Sequence, residues 1–306
     1  MSGPLGHFRW LCAPLTLRRV KFGIIAPYGI GPVEDGRFAV AFANLVEDLG
    51  FESLWVVEHV VMSVEYSSVY PYDPSGRSPF TAEVVQPDPL IWLAHVAAVT
   101  ERIRLATGVL IVPQRNPLIL AKECASLDRL SGGRLELGIG VGWVREEAAA
   151  LGVNFEDRGR RTDEYIEVLR TLWREPVASF HGEHVRFDRV VSRPQPLQEG
   201  GVPIVVGGHS KAAARRAGKY GNGFYPLGVA DDRLALLLEI MRESAATAGR
   251  DPSAIELTLL GMPDAASAER NDRLGAGRTV IAAKSGDLGL LHKDLERYRR
   301  EVIERF

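Results

Sequence analysis

Short apolar segments alternate with longer amphipathic ones eight times along this chain, and this order constrains its fold more than any other feature. The short segments are rich in β-branched and other apolar residues, as strands are, and the longer ones repeat apolar residues at helical spacing. Eight parallel strands alternating with helices in one chain of 306 residues predict an α/β fold, a closed (β/α)8 TIM barrel. The predicted strands are Val20–Ala26, Ser53–Val57, Ile103–Gly108, Arg134–Gly138, Val202–Val206, Gly223–Pro226, Ile255–Gly261 and Arg278–Ala282.

The segments between the strands carry ordinary helix signals. Asp88-Pro89 and Asn116-Pro117 combine a capping side chain with a proline suited to the first turn. The helix predicted at 161–173 places apolar and aromatic residues on a single face, which indicates core packing rather than a cofactor site. The predicted helices include 34–49, 88–101, 161–173, 210–220, 231–248 and 288–306.

Two long insertions interrupt the alternation, after the second strand and before the fifth. Residues 58–87 are rich in Tyr, Pro and Ser and lack a helical pattern, and residues 176–200 predict a small β-hairpin with a proline-rich return. A long irregular segment inside a compact domain is usually functional. Because residues 58–87 follow a strand at the carboxyl end of the barrel, we predict a lid over the substrate. Residues 20–306 are predicted to form one domain, preceded by a disordered leader at 1–19.

Composition and charge exclude several classes of function. The net charge of −2 provides no basic field for nucleic acid or an anionic membrane, and no apolar run reaches the roughly 20 residues that cross a bilayer. The basic run at residues 158–161 is interpreted as the solvated start of a helix. The two cysteines, Cys12 and Cys124, form no disulfide framework, so a cytoplasmic location is expected, with Cys124 buried in a helix.

The ends of the first two strands supply the first candidate site residues. Ala26-Pro27 ends the first strand with small residues that a planar ligand can approach. Glu58-His59 ends the second strand, where adjacent side chains diverge and at most one points inward. A histidine there can act as a general acid or base near neutral pH. A hydrogen-bonded structural histidine is an equally good interpretation of the residues alone.

Glycines mark the ends of the third and fourth strands. At Thr107-Gly108-Val109 a glycine allows a flat ring to contact the main chain. Gly138, Gly140 and Gly142 alternate along the next strand and remove side chains from one face. Their spacing misses the third glycine of the G-x-G-x-x-G dinucleotide motif, and they lie after three βα units, so a Rossmann domain is not predicted.

Gly207-Gly208-His209 joins the fifth strand to a helix. Glycines at such a turn expose amide donors at the positive end of the helix dipole, where a phosphate binds well. An ordinary tight turn remains an equal alternative. The pair His181 and His184 has a possible ligand spacing, but no third ligand lies nearby in the sequence, so no metal site is predicted.

Several of these motifs occur in the same order in one known family. The chain closely resembles the luciferase-like monooxygenases, and most of all their actinobacterial F420-dependent branch. The resemblance extends from Lys21 over nearly the whole chain and includes Glu58-His59, where many relatives have Asp-His, and Gly221-Asn222-Gly223-Phe224. Its main motifs are RIRLATGVLIVPQRNPLIL, GGRLELGIGVGW, RGRRTDEYIEVLRTLW and PIVVGGHS.

The resemblance implies an eight-stranded barrel that binds FMN or the deazaflavin coenzyme F420, commonly as a homodimer. It implies a non-prolyl cis peptide at Gly108–Val109 behind the cofactor ring and a main-chain phosphate site at Gly207-Gly208. His59 matches a histidine near the reacting carbon of the ring, and Glu147 matches a frequent carboxylate of variable role.

The predicted function is hydride transfer between F420 and a small organic substrate. His59 and Glu58 are the candidate catalytic residues. F420 is preferred because 31 arginines against 6 lysines are typical of GC-rich genomes, in which this cofactor is common. An FMN-dependent monooxygenase and a flavin-binding protein without turnover are the alternatives. The candidate cofactor-binding residues are Ala26, Pro27, His59, Thr107, Gly108, Val109, Gly140, Gly142, Gly207, Gly208 and His209.

Overall fold

Parallel strands close into a barrel, as the alternation predicts. A computed structural model describes residues 20–306. Eight strands pair in the order β3-β2-β1-β11-β10-β9-β8-β5, and β5 returns to β3 through Leu105 and Leu135 to complete the ring. Two further strands, β6 and β7, form an antiparallel hairpin outside it. The strands are β1 Lys21–Ile25, β2 Ser53–Val56, β3 Arg104–Thr107, β4 Leu110–Ile111, β5 Leu135–Gly140, β6 Ala178–His181, β7 Arg186–Val190, β8 Ile204–Gly207, β9 Gly223–Tyr225, β10 Glu256–Gly261 and β11 Arg278–Ala282.

The third barrel strand is broken, which the sequence pattern did not predict. Residues Gly108 and Val109 separate β3 from β4, and both strands pair with β5. The strand predicted at Arg134–Gly138 instead continues as β5 to Gly140, because β4 supplies it with further main-chain partners at Ile139 and Gly140. The carboxyl end of the barrel is therefore irregular at this point.

Helices surround the barrel, and two of them begin at the caps predicted at Asp88 and Asn116. The side chains of Asp35, Asp88 and Asn116 accept main-chain N–H groups in the first turns of α1, α2 and α3. The helix predicted at 88–101 ends earlier, the one predicted at 288–306 passes into a π-helical turn at Arg299–Ile303, and the short α4 was not predicted. The helices are α1 Gly36–Asp48, α2 Pro89–Ala97, α3 Pro117–Leu130, α4 Arg145–Ala150, α5 Arg158–Arg174, α6 Lys211–Tyr220, α7 Asp231–Thr247, α8 Ala265–Arg273 and α9 Leu288–Tyr298.

The interior of the barrel contains a buried ionic network near the amino ends of the strands. Arg278 is 1% exposed and donates to both Glu52 and Glu136, with Glu256 at 3.2 Å. Arg104 adds a second guanidinium on Glu136. Burial alone lowers the pKa of Arg278, and the three carboxylates more than reverse this, so its pKa is raised. Above this network lies an apolar layer of Trp55, Ala106, Val205, Tyr225 and Val280.

Both insertions have the predicted character. Between Val56 and Pro89 the chain contains neither strand nor α-helix, and 178–190 is the antiparallel hairpin. The basic run begins α5 as predicted, the apolar face of α5 is buried, and Cys124 is fully buried in α3. The leader predicted at 1–19 lies outside the described residues. Over residues 20–306 no helix is long and apolar enough to cross a bilayer.

Candidate functional site

The break in the third barrel strand is packed against glycines of the neighbouring strands. Val109 projects its two methyl groups into the space that a Cβ would occupy at Gly140 and Gly207, each 2.5 Å from the ideal Cβ position. A Cβ at Gly138 would overlap the carbonyl oxygen of Thr107. These glycines thus leave space for the adjacent strand. This packing explains their presence more directly than the ligand contact that the sequence pattern indicated.

The peptide bond Gly108–Val109 is cis, which confirms the expectation from the family resemblance. The Gly108 N–H donates to the Val56 carbonyl at 2.6 Å, and its Cβ position lies 2.9 Å from the Trp55 ring. The Thr107 hydroxyl is fully buried and donates to the Gly138 carbonyl at 2.6 Å. The main chain at Gly108 and Val109, rather than the Thr107 side chain, is therefore what this strand end offers to a ligand.

Glu58 and His59 diverge, as neighbouring side chains should. Glu58 is 6% exposed and accepts from the Ile111 amide at 2.5 Å and from the guanidinium of Arg115, which also pairs with Asp88. Burial raises the pKa of Glu58, although Arg115 and the Ile111 amide favour the ionised carboxylate. Glu58 thereby connects the second strand end to the segment after the cis peptide.

His59 is held by a carboxylate of α4, the short helix that follows β5. Its Nδ1 lies 2.9 Å from Oε2 of Glu147, which is fully buried at the start of α4. The other carboxylate oxygen, Oε1, accepts the main-chain N–H of Val60 at 2.7 Å. A carboxylate can only accept, so a hydrogen bond from His59 to the Glu147 carboxylate uses the Nδ1–H tautomer of the imidazole. Nε2 of the imidazole is then left for another partner.

The long segment 58–87 lies over this mouth through a chain of aromatic contacts. Trp143 packs edge-on against the His59 ring at 5.8 Å and against Tyr66 and Tyr70 from the segment at 5.6 and 5.1 Å. Tyr72 makes an edge contact with the His209 ring at 4.7 Å. The segment therefore covers both the His59 side and the glycine turn after β8.

A second carboxylate of α4 anchors the same segment. Glu146 accepts the amide of Ser67 at 2.7 Å and the hydroxyl groups of Ser67 and Ser68 at 2.9 and 2.6 Å. The Ser68 hydroxyl and the Ser67 amide lower the pKa of Glu146 to about 2. The ionised anchor therefore stabilises the fold above the ordinary carboxyl pKa, and its contribution is lost as the pH falls toward 2.

Replacing Glu146 with alanine should loosen segment 58–87, because its serine amides and hydroxyls lose their acceptor. Arg77 is exposed and is the only lysine or arginine between residues 58 and 87, so trypsin has one cleavage site there. We expect cleavage after Arg77 to accelerate several-fold, measured by mass spectrometry. Glu156→Ala, which removes an exposed neighbouring carboxylate, should cleave at the wild-type rate. Equal rates for all three proteins would contradict the anchoring role.

The turn after β8 combines glycines with a helix start. Gly208 has a φ of +103° and lies before Ser210, which caps α6 by accepting the Ala213 amide. The Nδ1 atom of His209 lies 3.1 Å from the Leu227 carbonyl, and burial lowers the pKa of this imidazole. The hydroxyl of Tyr72 lies 3.9 Å from the position of a Gly208 Cβ. The Gly208 amide donates to the Tyr225 carbonyl at 3.2 Å, so the amides at the start of α6 are the donors that remain at this turn, and Tyr72 lies against it.

The remaining predicted residues also lie at the carboxyl ends of the strands. Ala26 and Pro27 are buried directly after β1, and Gly142 adopts a φ of +79° after β5. The polar atoms here without a partner among residues 20–306 include Oε1 of Gln114, next to Gly142, and the hydroxyl of Tyr225 at the end of β9. Orphaned buried polar atoms at strand ends fit a site that receives a polar ligand.

Candidate metal ligands are not brought together. His181 pairs with Asp188 on the hairpin at 2.6 Å, whereas His184 lies 3.8 Å from Asp157. In the part of the chain that is described, no group of three His, Cys, Asp or Glu side chains is arranged to hold a metal ion.

Sequence reasoning missed several residues of the site. Arg115, Trp143 and Glu146 carried no signal of their own, because each acts through a partner between about 27 and 79 positions away in the chain. The tyrosines of segment 58–87 were visible as composition. Their contacts with Trp143 and His209 depend on the path of an irregular segment.

The fold is a (β/α)8 barrel, and the candidate site lies at the carboxyl ends of its strands, where enzymes of this fold carry their active sites. The family model for luciferase-like monooxygenases matches residues 20–304, and the chain belongs to this family.

Relatives in sequence include proteins that use either of two cofactors. An uncharacterized protein of Mycobacterium tuberculosis is 35% identical over 69% of this chain and 73% of its own length. The F420-dependent glucose-6-phosphate dehydrogenase of Kineococcus radiotolerans is 30% identical over 81% of this chain and 71% of that enzyme. The FMNH2-dependent dimethylsulfone monooxygenase of Pseudomonas putida is 30% identical over 68% of this chain and 53% of that enzyme.

Solved structures share the fold. An F420-dependent secondary alcohol dehydrogenase in complex with an F420-acetone adduct has a TM-score of 0.74 at 19% identity, covering 93% of this chain and 98% of that one. The monooxygenase RslO1 from Streptomyces bottropensis has a TM-score of 0.73 at 22% identity, covering 94% and 99%. The chain is accordingly an oxidoreductase of a family whose members use F420 or FMN.

Proposed function

We propose that this protein is an F420-dependent oxidoreductase that transfers a hydride between the deazaflavin and a small organic substrate. The observation that carries the proposal is the His59–Glu147 pair. It holds an imidazole at the barrel mouth through Nδ1 and leaves Nε2 for a ligand. The F420-dependent and FMNH2-dependent relatives are both 30% identical to this chain, so F420 is chosen over FMN from the motifs that resemble the F420-dependent branch. The high ratio of arginine to lysine points the same way.

The residues at the strand ends fit a ring with a phosphate-bearing chain. The main chain of Gly108 and Val109 would support one face of the ring, because both residues are only half-buried at this strand end while the Cβ side of Gly108 faces Trp55. Gly207, Gly208 and the amides at the start of α6 would hold the phosphate. Ala26, Pro27, Gly140 and Gly142 would line the remaining wall, with His209 beside the phosphate turn. The bound deazaflavin supplies hydride chemistry that no side chain of this protein provides.

His59 would manage the proton that accompanies hydride transfer. Glu147 fixes the ring orientation and the protonated Nδ1, so Nε2 is the atom that gives or takes a proton. Both side chains are at most 10% exposed, which keeps this geometry from relaxing into water. For Glu58 we propose a positioning role rather than the catalytic one expected from the sequence, since Arg115 and the Ile111 amide occupy its oxygens.

Segment 58–87 would act as the lid. Tyr72 lies against the turn at Gly208 and the His209 ring, so we expect a phosphate bound at that turn to displace it. Once the lid closes, the aromatic contacts around Trp143 would exclude water from His59. We also propose a cytoplasmic location, supported by the absence of a disulfide framework in the sequence. We further propose a homodimer, because the family resemblance implies that members are commonly homodimers.

Equilibrium titration tests the choice of cofactor. Purified protein freed of bound cofactor is titrated separately with F420 and FMN, and binding is followed by quenching of tryptophan fluorescence. We expect F420 to bind at least about tenfold more tightly than FMN, a difference of about 1.4 kcal/mol. Sub-micromolar FMN binding without F420 binding would instead establish the FMN-dependent monooxygenase as the better assignment.

A further inference from the structure

A cavity of about 330 Å³ lies at the opposite face of the barrel from the site described above. Its wall includes Val202 and Pro203, which precede β8, and Asn222, which precedes β9. Parallel strands present all their amino ends at one face, so this cavity is separated from the strand ends that carry His59. Its volume lies at the lower end of the range for small-molecule sites.

Two arginines from consecutive turns of α5 line this cavity. Arg170 and Arg174 are four residues apart and therefore share one face of the helix. Arg250, which follows α7, donates to the carbonyl of Gly221 beside Asn222 and adds a third guanidinium to the same region. None of the three forms an ion pair within 4.0 Å with a carboxylate of residues 20–306.

Main-chain carbonyls use only part of the donor capacity of these guanidinium groups. Arg174 donates its Nε to the Gly200 carbonyl at 2.9 Å, and Arg170 donates one Nη to the Tyr220 carbonyl. Both Nη groups of Arg174, together with Nε and Nη1 of Arg170, have no protein acceptor within the described residues. Free donors of this planar kind match the oxygens of phosphate and carboxylate groups.

The charge balance around the cavity also favours an anion. Burial, and then the like charges of Arg174 and Arg250, lower the pKa of Arg170 to about 10. Glu199 lies at the cavity but pairs with none of the three arginines, and Glu167 accepts the Tyr220 hydroxyl. An oxyanion in the cavity would compensate the repulsion among the guanidinium groups.

We propose that this cavity binds a small metabolite through a phosphate or carboxylate group, with Arg170 and Arg174 as the principal ligands and the Asn222 side-chain amide as a further donor. The site is separate from the proposed cofactor site, so its occupancy does not depend on which cofactor the enzyme uses.

Calorimetric titration of the whole protein with inorganic phosphate, and separately with malonate, tests this proposal in a Tris chloride buffer of fixed ionic strength that contains no carboxylate. We expect saturable binding of one anion per chain. The Arg174→Ala variant should bind at least about tenfold more weakly, and Arg174→Lys should be intermediate because it keeps the charge but loses the planar fork. Phosphate binding alone identifies a phosphorylated ligand, and malonate binding alone a carboxylated one.

Arg242→Ala is the matched control, because Arg242 is an exposed helical arginine away from the cavity lining. It should bind both anions as the wild type does. Thermal melting of each variant checks that the fold is retained, and Arg174→Lys provides the decisive comparison should Arg174→Ala unfold. Absence of saturable binding of either anion to the wild-type protein would overturn the proposal. Unchanged affinity in the Arg174 variants would do so as well.

Discussion

Replacing His59 with asparagine should lower the turnover number by about 10²–10⁴-fold while changing cofactor affinity little. The amide nitrogen of asparagine can still donate to Glu147, so the buried carboxylate keeps a partner, but no group remains that exchanges a proton at Nε2. Turnover would be measured as oxidation of reduced F420 with a panel of small aldehydes and ketones, and affinity by fluorescence titration.

Two controls separate proton transfer from a structural effect. Glu147→Gln keeps the size of the side chain but removes the charge that orients His59, so the pH profile of its kcat should shift relative to wild type. His95→Asn alters an exposed histidine on α2 whose Nε2 lies 3.1 Å from the Gly36 carbonyl, and it should leave turnover unchanged. Wild-type turnover of the His59 variant on every active substrate would remove His59 from the mechanism.

Replacing Arg278 with methionine should lower the free energy of unfolding by about 3–5 kcal/mol. The substitution leaves Glu136 buried with one guanidinium in place of two and removes the guanidinium that donates to Glu52, which keeps only Lys21 at 4.0 Å as an ion-pair partner among residues 20–306. Urea denaturation would measure the loss. Arg297→Ala, which breaks an exposed ion pair with Asp294, should change stability by less than about 1 kcal/mol.

The pH dependence of the free energy of unfolding tests whether Glu136 causes the loss of stability in the Arg278 variant. Burial alone raises the pKa of Glu136, but Arg278 and Arg104 reverse this, so in the wild type it lies below the ordinary 4.5. Its ionisation therefore stabilises the wild type above that pH, and the contribution is lost as the pH falls. Without Arg278 the pKa of Glu136 rises, and the gap in stability between variant and wild type should narrow on acidification. Adding Glu136→Gln to the Arg278 variant should recover part of the lost stability. A stability difference that stays constant with pH, together with no recovery in the double variant, would refute the role of Glu136.

The barrel could be predicted from the sequence because its signals are local. Apolar strands, helix caps such as Asp88 and Asn116, and glycines at strand ends each act within a few residues. The positions of Glu58 and His59 at a strand end followed from the same pattern. Their different fates, one bound by Arg115 and the other by Glu147, depend on residues 57 and 88 positions away.

The broken strand was beyond the reach of periodicity for a similar reason. The sequence pattern predicts a single strand at Ile103–Gly108, and the interruption at Gly108–Val109 is possible only because Gly140 and Gly207 leave room for the Val109 methyl groups. The family resemblance supplied the cis peptide, which no local signal indicates. The path of segment 58–87 was equally inaccessible, since contacts with Trp143 and Glu146 fix it rather than any regular structure.

A crystal structure of the protein with F420 bound tests the central claim most directly. We predict that the deazaflavin ring lies against the main chain at Gly108–Val109, with its phosphate at Gly207-Gly208 and Nε2 of His59 facing the reacting side of the ring. Tyr72 should be displaced from Gly208 relative to the arrangement described above. A ring bound elsewhere on the barrel, or a His59 whose Nε2 faces away from it, would contradict the account.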